Sequence, residues 1–381
     1  RKNILWLTSW YPNKDDPFDG DFIQRHAKAA AVYNNIHVVF VIAADENKES
    51  YTHDIDQPEL TEQIIYFRNK PGVFGRAYKH VQWKKLFIKA VEAYISMHGL
   101  PHLVHVHVPW KAGLIALYLK RRHNLPFVIT EHWGIYNKVV DDNFFSRSPI
   151  VQRLVKKIFS RSRELVSVSK YLGDSINNSI VKKGFRIISN VVDTSKFYLN
   201  NGTQNRVFTF IHVSNMVALK NVEGIIDAFY TLTQNIQKEV QLIFVGNKND
   251  RYSLYADKLG LLGRQVFFRG EVPYTEVAQC MQQSHCFILN STIENSPCTI
   301  SEALCCGLLV ITTAVGGTPE MVTETNGLLV PASNAAALTA AMQQVMENFN
   351  TYNRTQIAAA ASEKYGQAAI AEKFRDLYAT L

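Results

Sequence analysis

Short apolar runs alternate with longer amphipathic stretches along almost the whole chain, and this alternation limits the folds that it can adopt. Runs such as Ile4–Thr8 and Cys286–Leu289 have the length of buried strands, whereas Asn221–Leu232 and Ala335–Met346 place apolar residues at helical spacing. Strands that alternate with helices form βαβ units and parallel sheets. The sequence therefore predicts an α/β protein.

The strand-like runs fall into two sets on either side of a polar, turn-rich segment, residues 190–205. The full set is Ile4–Thr8, His37–Ile42, Ile64–Phe67, Leu103–Val106, Phe127–Thr130 and Glu164–Val168, then Val207–His212, Val240–Val245, Val266–Phe268, Cys286–Leu289, Leu309–Thr312 and Gly327–Val330. A chain of 381 residues also exceeds one ordinary domain. We predict two doubly wound, Rossmann-like domains, residues 1–190 and 191–381, with the option that the last helix packs back on the N-terminal domain. In such sheets ligands bind just beyond the strand ends, at the switch point.

Charge is distributed unevenly between the two halves. The first 190 residues hold 28 Lys and Arg against 17 Asp and Glu, and the remainder holds 13 against 16. All five tryptophans also lie in the first half. A basic, Trp-rich half joined to a nearly neutral one predicts two domains with different partners.

Composition narrows the class of protein. Hydrophobic residues make up 47% of the chain, which disfavours disorder, and no apolar run approaches the roughly 18 residues of a membrane span. The five cysteines form no CxxC pair, which is typical of buried thiols in a reducing compartment. No nucleic-acid motif accompanies the positive charge. We predict a cytoplasmic protein that binds no nucleic acid.

The strongest local signal is ENSPCTISEALCCG, residues 294–307, directly after a strand-like run. Asn295 or Ser296 is a candidate helix N-cap, with Pro297 at the first helical position. A helix that starts there presents free backbone N–H groups, an anion site suited to a diphosphate. Glu294 and Glu302 can each accept two hydrogen bonds from a diol. Spacing alone equally allows a capped helix with two ordinary surface glutamates.

The same segment resembles the large family 4 of retaining glycosyltransferases. Seven residues separate Glu294 from Glu302, an EALxxG run ends in Gly307, and a GGxPE run begins at Gly316. The resemblance implies the GT-B fold, in which two Rossmann-like domains face each other across an interdomain cleft. The C-terminal domain would bind a nucleotide-diphospho-sugar donor and the N-terminal domain the acceptor.

The resemblance also implies roles for the residues of this segment. Glu294 would lie near the donor sugar, and Glu302 would bind the ribose hydroxyls. Backbone amides would reach the sugar and the diphosphate from the four residues Ser296, Pro297, Cys298 and Thr299.

Further landmarks of the resemblance follow other strands. Gly20, which opens a helix after the loop Ser9–Asp19, would lie next to the donor phosphate. His132, at the end of VITEHWG, would lie close to donor sugar and acceptor, and Gly246 matches a strand-end glycine of the donor site. The base would lie near residues 268–270, with nothing that selects uracil over guanine.

The segment HVSNMVALKN, residues 212–221, departs from the family pattern at two positions, where Ser214 and Asn215 replace a Gly and an Arg. The family has an Arg and a Lys that together neutralise the leaving diphosphate. Lys220 matches the Lys, but Asn215 replaces the Arg. We expect catalysis by His132, Glu294 and Lys220, with Asn215 in the donor site and one cation fewer than usual.

Metal and cofactor sites are not expected. His105 and His107 share one strand face at a spacing that zinc also uses, but no third ligand is evident, which favours buried, hydrogen-bonded histidines. No DxD motif lies at a strand end to hold a divalent ion against a diphosphate. The donor, UDP- or GDP-linked, is then a substrate, and no cofactor is required.

The expected reaction is metal-independent transfer of a hexose or N-acetylhexosamine, with retention, to a glycan or lipid-linked acceptor in surface polysaccharide biosynthesis. Two alternatives stay open. A nucleotide-sugar epimerase on the same fold would need no acceptor, and a non-catalytic membrane-docking subunit would account for Asn215. The Glu294 and Glu302 pair argues against the second.

Two basic stretches suggest peripheral attachment to an anionic membrane. Residues 74–89 interleave five cations with Phe74, Tyr78, Trp83 and Phe87, as interfacial helices do. Residues 153–163 carry five more cations. The alternative is that Trp83 and Phe87 pack into the core while the lysines are solvated.

Overall fold

The computed structural model describes residues 1–44, 51–70, 72–140, 142–202, 204–247 and 250–381. These residues form two compact units. The first comprises Arg1–Val191 together with Gln367–Leu381, and the second comprises Val192–Gly366. The division lies one residue from the predicted boundary, and the last helix belongs to the first unit. Among the described residues, no helix is both long and apolar enough to cross a bilayer.

The first unit is built on a sheet of order β3-β4-β2-β1-β5-β6-β7-β8, in which only the β3–β4 pairing is antiparallel. Its strands are β1 (Asn3–Thr8), β2 (Asn35–Ala44), β3 (Tyr51–Gln57), β4 (Leu60–Arg68), β5 (Leu103–His107), β6 (Phe127–Glu131), β7 (Leu165–Ser167) and β8 (Phe185–Ile187). Its helices are α1 (Asp21–Ala31), α2 (Gly72–His98), α3 (Pro109–His123), α4 (Pro149–Arg161), α5 (Lys170–Ser179) and, from the end of the chain, α12 (Gln367–Ala379).

Both faces of this sheet are covered, so its central strands are apolar on both sides, as parallel sheets require. One core contains Leu5 and Leu7 of β1 with Phe87 of α2. The other contains Trp6 with Phe374 and Tyr378 of α12. The Tyr378 hydroxyl accepts a hydrogen bond from the Trp6 indole N–H at 3.2 Å. This contact fixes the C-terminal helix against the first strand.

The second unit has an all-parallel sheet of order β11-β10-β9-β12-β13-β14. Its strands are β9 (Phe208–Ser214), β10 (Val240–Gly246), β11 (Val266–Phe268), β12 (Cys286–Leu289), β13 (Leu309–Thr313) and β14 (Gly327–Val330). Its α-helices are α6 (Val222–Asn235), α7 (Asp250–Lys258), α8 (Tyr274–Gln283), α9 (Cys298–Cys305), α10 (Ala335–Asn348) and α11 (Arg354–Tyr365).

The strands predicted from apolar runs are all confirmed, and so are the two helices predicted over Asn221–Leu232 and Ala335–Met346. In each sheet one pair of neighbouring strands marks the point where the chain reverses its direction of winding. The pair is β1 and β5 in the first sheet and β9 and β12 in the second. The loops that follow these strands are where a ligand is expected in a doubly wound sheet.

Candidate active site

Two predicted site residues meet at the switch point of the second sheet. Lys220 follows β9 and Glu294 follows β12, and these strands are neighbours, so residues 74 apart in sequence come together. The Lys220 ammonium lies 2.5 Å from Glu294 Oε1, and the side chains are only 21% and 10% exposed. Ser291 donates a second hydrogen bond to the same oxygen at 2.6 Å. The result is a partly buried cation and carboxylate at the position expected for a ligand.

The backbone of Glu294 is held by the glycine pair Gly316 and Gly317. The Gly317 N–H donates to the Glu294 carbonyl at 2.9 Å. Gly316 has φ +56°, and a Cβ there would lie 1.8 Å from the same carbonyl oxygen. Only glycine fits this approach. The GG motif therefore fixes the position of Glu294.

The helix after Glu294 starts later than predicted. Helix α9 begins at Cys298, and Pro297, in an extended conformation with ψ 119°, is the N-cap residue. No side chain caps the helix, so the prediction of Asn295 or Ser296 as N-cap and of Pro297 as the first helical residue is wrong. The N-cap residue itself therefore offers no side-chain acceptor to the first-turn N–H groups.

Glu302 lies inside α9 and is only 3% exposed. Its Oε1 accepts a hydrogen bond of 2.6 Å from the hydroxyl of Tyr274, the first residue of α8. Neither Glu294 nor Glu302 is therefore an ordinary surface glutamate. A buried carboxylate held by a phenol is positioned to receive hydroxyl groups of a ligand.

The remaining donor-site predictions lie at the ends of β9 and β10. Asn215 is exposed directly after β9. Gly246 ends β10 with φ +131°, and a Cβ there would lie 1.7 Å from the carbonyl oxygen of Ser214. The Gly246 N–H donates to the carbonyl of Gly270 at 2.9 Å. The loops after β9 and β10 pack so closely that only glycine fits at position 246.

In the first unit, Gly20 precedes α1 with φ +62°. A Cβ at this position would lie 2.8 Å from the backbone carbon of Trp10 and 2.9 Å from its carbonyl oxygen. Two residues on, the Phe22 ring lies 4.9 Å from the His132 ring. The loop after β1 and the residue after β6 therefore come together at one edge of the first sheet.

His132 is 9% exposed and its ring lies among aromatic and imidazole groups. His107 Nδ1 and His132 Nε2 lie 3.2 Å apart, and the Asn190 side chain also hydrogen-bonds to His132. Burial, followed by the charges of His26 and His105, holds the pKa of His132 well below its usual value. The imidazole is therefore neutral at pH 7.

Comparison with known proteins agrees with this geometry. The family model of glycosyl transferases group 1 matches residues 196–362, and that of Glycosyltransferase Family 4 matches residues 27–196. The chain belongs to the family 4 glycosyltransferases. The putative teichuronic acid biosynthesis glycosyltransferase TuaC of Bacillus subtilis is 23% identical over 364 residues, covering 89% of this chain and 88% of TuaC.

Solved structures show that this glycosyltransferase has the GT-B fold. Sucrose-phosphate synthase from Thermosynechococcus elongatus has a TM-score of 0.79 at 21% identity, covering 100% of this chain and 99% of that chain. HepE from Anabaena, crystallised in complex with UDP, has a TM-score of 0.76 at 16% identity and covers both chains fully. The predicted fold class is confirmed.

Several histidines that are distant in the sequence lie close together in the first unit of this glycosyltransferase. His105 is buried and hydrogen-bonded through both nitrogens, to Tyr378 and Thr130 at 2.7 Å each, as predicted. One nitrogen from each of His26, His107 and His132 lies within 4.8 Å of the others. His26 is the third imidazole that the sequence did not reveal, because helix α1 supplies it. Its Nε2 lies 2.9 Å from the Ser189 carbonyl oxygen, whereas His26 Nδ1 and His107 Nε2 are buried without a hydrogen-bond partner among the described residues.

The basic helix α2 of the glycosyltransferase differs from the predicted interfacial helix. Phe87 is fully buried, and Trp83 packs against the same core with its ring 5.2 Å from that of Phe87. The prediction that these two aromatics lie beside the lysines on the surface is therefore wrong. Lys84 and Lys85 are exposed. The prediction also included Phe74 and Arg76, whose side chains lie outside the described part of the structure.

Proposed function

We propose that the protein is a metal-independent, retaining glycosyltransferase that moves a hexose or N-acetylhexosamine from a UDP- or GDP-linked sugar. The contact between Lys220 and Glu294 at the switch point of the second sheet carries this proposal. In this proposal Lys220 is the cation for the diphosphate, and the adjacent Glu294 is the carboxylate for the sugar. The buried Glu302 carboxylate and the half-buried Tyr274 hydroxyl that donates to it add hydrogen-bonding groups for the ribose hydroxyls.

The chemical requirement is to stabilise negative charge on the leaving diphosphate. Lys220 supplies one positive charge. The first-turn N–H groups of α9, near Ser296, Pro297, Cys298 and Thr299, supply the positive end of a helix dipole. Preorganised donors of this kind stabilise the charge that develops in the transition state. Because Asn215 replaces the usual arginine, Lys220 supplies a larger share of the charge stabilisation at the diphosphate here than in relatives with both cations.

The steps follow from the groups available. The acceptor hydroxyl attacks the anomeric carbon from the face that the diphosphate leaves, and the diphosphate takes the hydroxyl proton, so no separate base is assigned. Glu294 holds the sugar hydroxyls. We assign to the neutral His132 the role of orienting the sugar through a hydrogen bond, and to Gly20 and Gly246 the binding of the donor phosphate and nucleotide.

The acceptor is proposed to be a glycan or lipid-linked saccharide of surface polysaccharide biosynthesis, bound by the first unit. The likeness to TuaC, whose name refers to teichuronic acid, supports this class. UDP, the nucleotide bound to HepE, is the first donor nucleotide to test.

We expect donor binding and sugar transfer to survive excess EDTA, since Lys220 and α9 take the place of a metal at the diphosphate. The first measurement is thermal stabilisation by UDP- and GDP-sugars with and without EDTA. A ligand present at 100 times its dissociation constant raises the free energy of unfolding by about 2.7 kcal/mol. Transfer assays with and without EDTA follow. Loss of activity in EDTA that Mg²⁺ or Mn²⁺ restores would contradict the metal-free mechanism. Conversion of donor without acceptor would identify an epimerase instead.

We also propose reversible attachment of the first unit to the anionic cytoplasmic leaflet, now through helix α4. This helix exposes four cations, and Ile150 at its start is 76% exposed. The cations are Arg153, Lys156, Lys157 and Arg161. Near an anionic surface each cation contributes about 1 kcal/mol.

The expected result is salt-sensitive co-sedimentation with anionic vesicles but not with neutral ones. Lys156→Glu with Lys157→Glu should abolish it. The matched control, Lys238→Glu with Lys258→Glu, changes two exposed lysines of the second unit and should retain it. Equal sedimentation of both double variants, or none by the wild type at low salt, would refute attachment through α4.

A further inference from the structure

A small cavity lies at the carboxyl edge of the first sheet, beside the ends of β1, β2 and β4. Its volume is about 140 Å³, and its polar lining includes Ser9, Asp19, Lys79 and Lys111. Trp83 contributes an aromatic wall. We call it the lysine cavity. Pockets for whole drug-sized ligands span roughly 300–1,000 Å³, so this one suits a single functional group or part of one sugar ring.

Lys111 occupies an unfavourable place for a positive charge. It lies in the first turn of α3, at the positive end of the helix dipole, where cations are destabilised. Burial and the charge of Lys79 both lower the pKa of its ammonium. Burial, the helix dipole and the charge of Lys79 therefore all oppose the ammonium charge, and the last two would favour an anion in the same space.

The part of the chain that the structure describes gives these two lysines no salt-bridge partner. Within the described ranges, neither Lys79 nor Lys111 forms an ion pair with a carboxylate. Asp19 shares the cavity, but burial and then Asp16 raise the pKa of its carboxyl to about 6, and neither lysine is among the groups that lower it. Among the described residues that line the cavity, Lys79, Lys111 and His80 outnumber the one carboxyl group, that of Asp19.

The other lining groups suit a saccharide. An indole presents a broad apolar face, against which the C–H face of a sugar ring can pack. A carboxyl group such as Asp19 exchanges hydrogen bonds with hydroxyl groups. Ser9 accepts a hydrogen bond from the Ala112 N–H at 3.1 Å, which fixes the start of α3 and with it the position of Lys111.

We infer that the lysine cavity binds an acidic group, a carboxylate or a phosphate, carried by the saccharide acceptor. This inference rests on the proposed function, in which the first unit binds the acceptor. It narrows the acceptor class to anionic glycans. Lys79 and Lys111 then act as specificity-determining residues, and neither belongs to the donor site.

The test measures equilibrium binding to the full chain of three probes: methyl glucuronoside, glucose 6-phosphate and the neutral methyl glucoside. The wild type should bind at least one acidic probe about tenfold more tightly than the neutral one, because a hydrogen bond to a charged group contributes about that much. Lys79→Gln and Lys111→Gln should each remove that preference. The stronger acidic probe identifies carboxylate or phosphate.

Lys89→Gln is the matched control, since Lys89 is exposed on the same helix as Lys79 and does not line the cavity. It should keep the wild-type preference. Equal binding of acidic and neutral probes, no binding of either acidic probe, or equal losses in all three variants would overturn the inference. Binding of UDP and of GDP, measured in parallel, separates the two proposals. If either nucleotide binds while these results fail, only the lysine cavity is wrong, and if neither nucleotide binds, the donor site is wrong.

Discussion

Lys220→Ala is expected to lower kcat by about a hundredfold, the cost of removing one preorganised donor to a developing negative charge. The reason is local: Asn215 provides no second cation, so the diphosphate loses its main charged partner in the second unit. Because that interaction strengthens as the diphosphate leaves, kcat should fall more than KM rises. Steady-state kinetics with a saturating acceptor measure both quantities.

Two controls separate this effect from loss of the fold. Lys238→Ala removes an exposed lysine of the same unit and should leave kcat unchanged. Glu294 keeps its hydrogen bond from Ser291 in the Lys220 variant, so its side chain should stay in place. A Lys220→Ala protein that unfolds at the wild-type temperature and turns over at the wild-type rate would show that the diphosphate lies elsewhere.

Apolar strands were the most predictable part of the fold. Buried parallel strands need apolar residues on both faces, so their runs stand out in a sequence. Strand β3 was missed because it is the antiparallel edge of its sheet and none of its residues is buried. Strand β8 has only three residues, none of them buried, and gives no run to detect.

Site residues were predictable where they follow strands and share a motif, as Glu294 and Glu302 do. Their partners were not, because hydrogen bonds between distant segments leave no pattern in the sequence. Tyr274 reaches Glu302 from α8, and His26 reaches the histidine cluster from α1. Lys111 was missed for another reason: a lysine among apolar residues resembles any solvated cation until its burial is known.

The prediction with the largest combined effect is Gly316→Ala, which should destabilise the protein by about 3 kcal/mol. A left-handed conformation costs an alanine about 1 kcal/mol, and overpacking adds about 1–3 kcal/mol. The overpacking arises because the new methyl group would lie 1.8 Å from the carbonyl oxygen of Glu294. Relief requires Glu294 to move, and a displacement of about 1 Å at a reacting centre can cost about a hundredfold in rate. Thermal unfolding and kcat are the measurements.

Gly260→Ala measures the backbone part of this effect alone, without the steric clash. Gly260 has φ +70°, close to the +56° of Gly316, but a Cβ there would meet nothing within 4 Å. The control should therefore lose only about 1 kcal/mol of stability and no activity. The difference between the two variants measures how firmly the glycine pair fixes Glu294. If Gly316→Ala were no less stable than Gly260→Ala and turned over at the wild-type rate, the position of Glu294 would not control transfer, and its assignment to the donor sugar would fail.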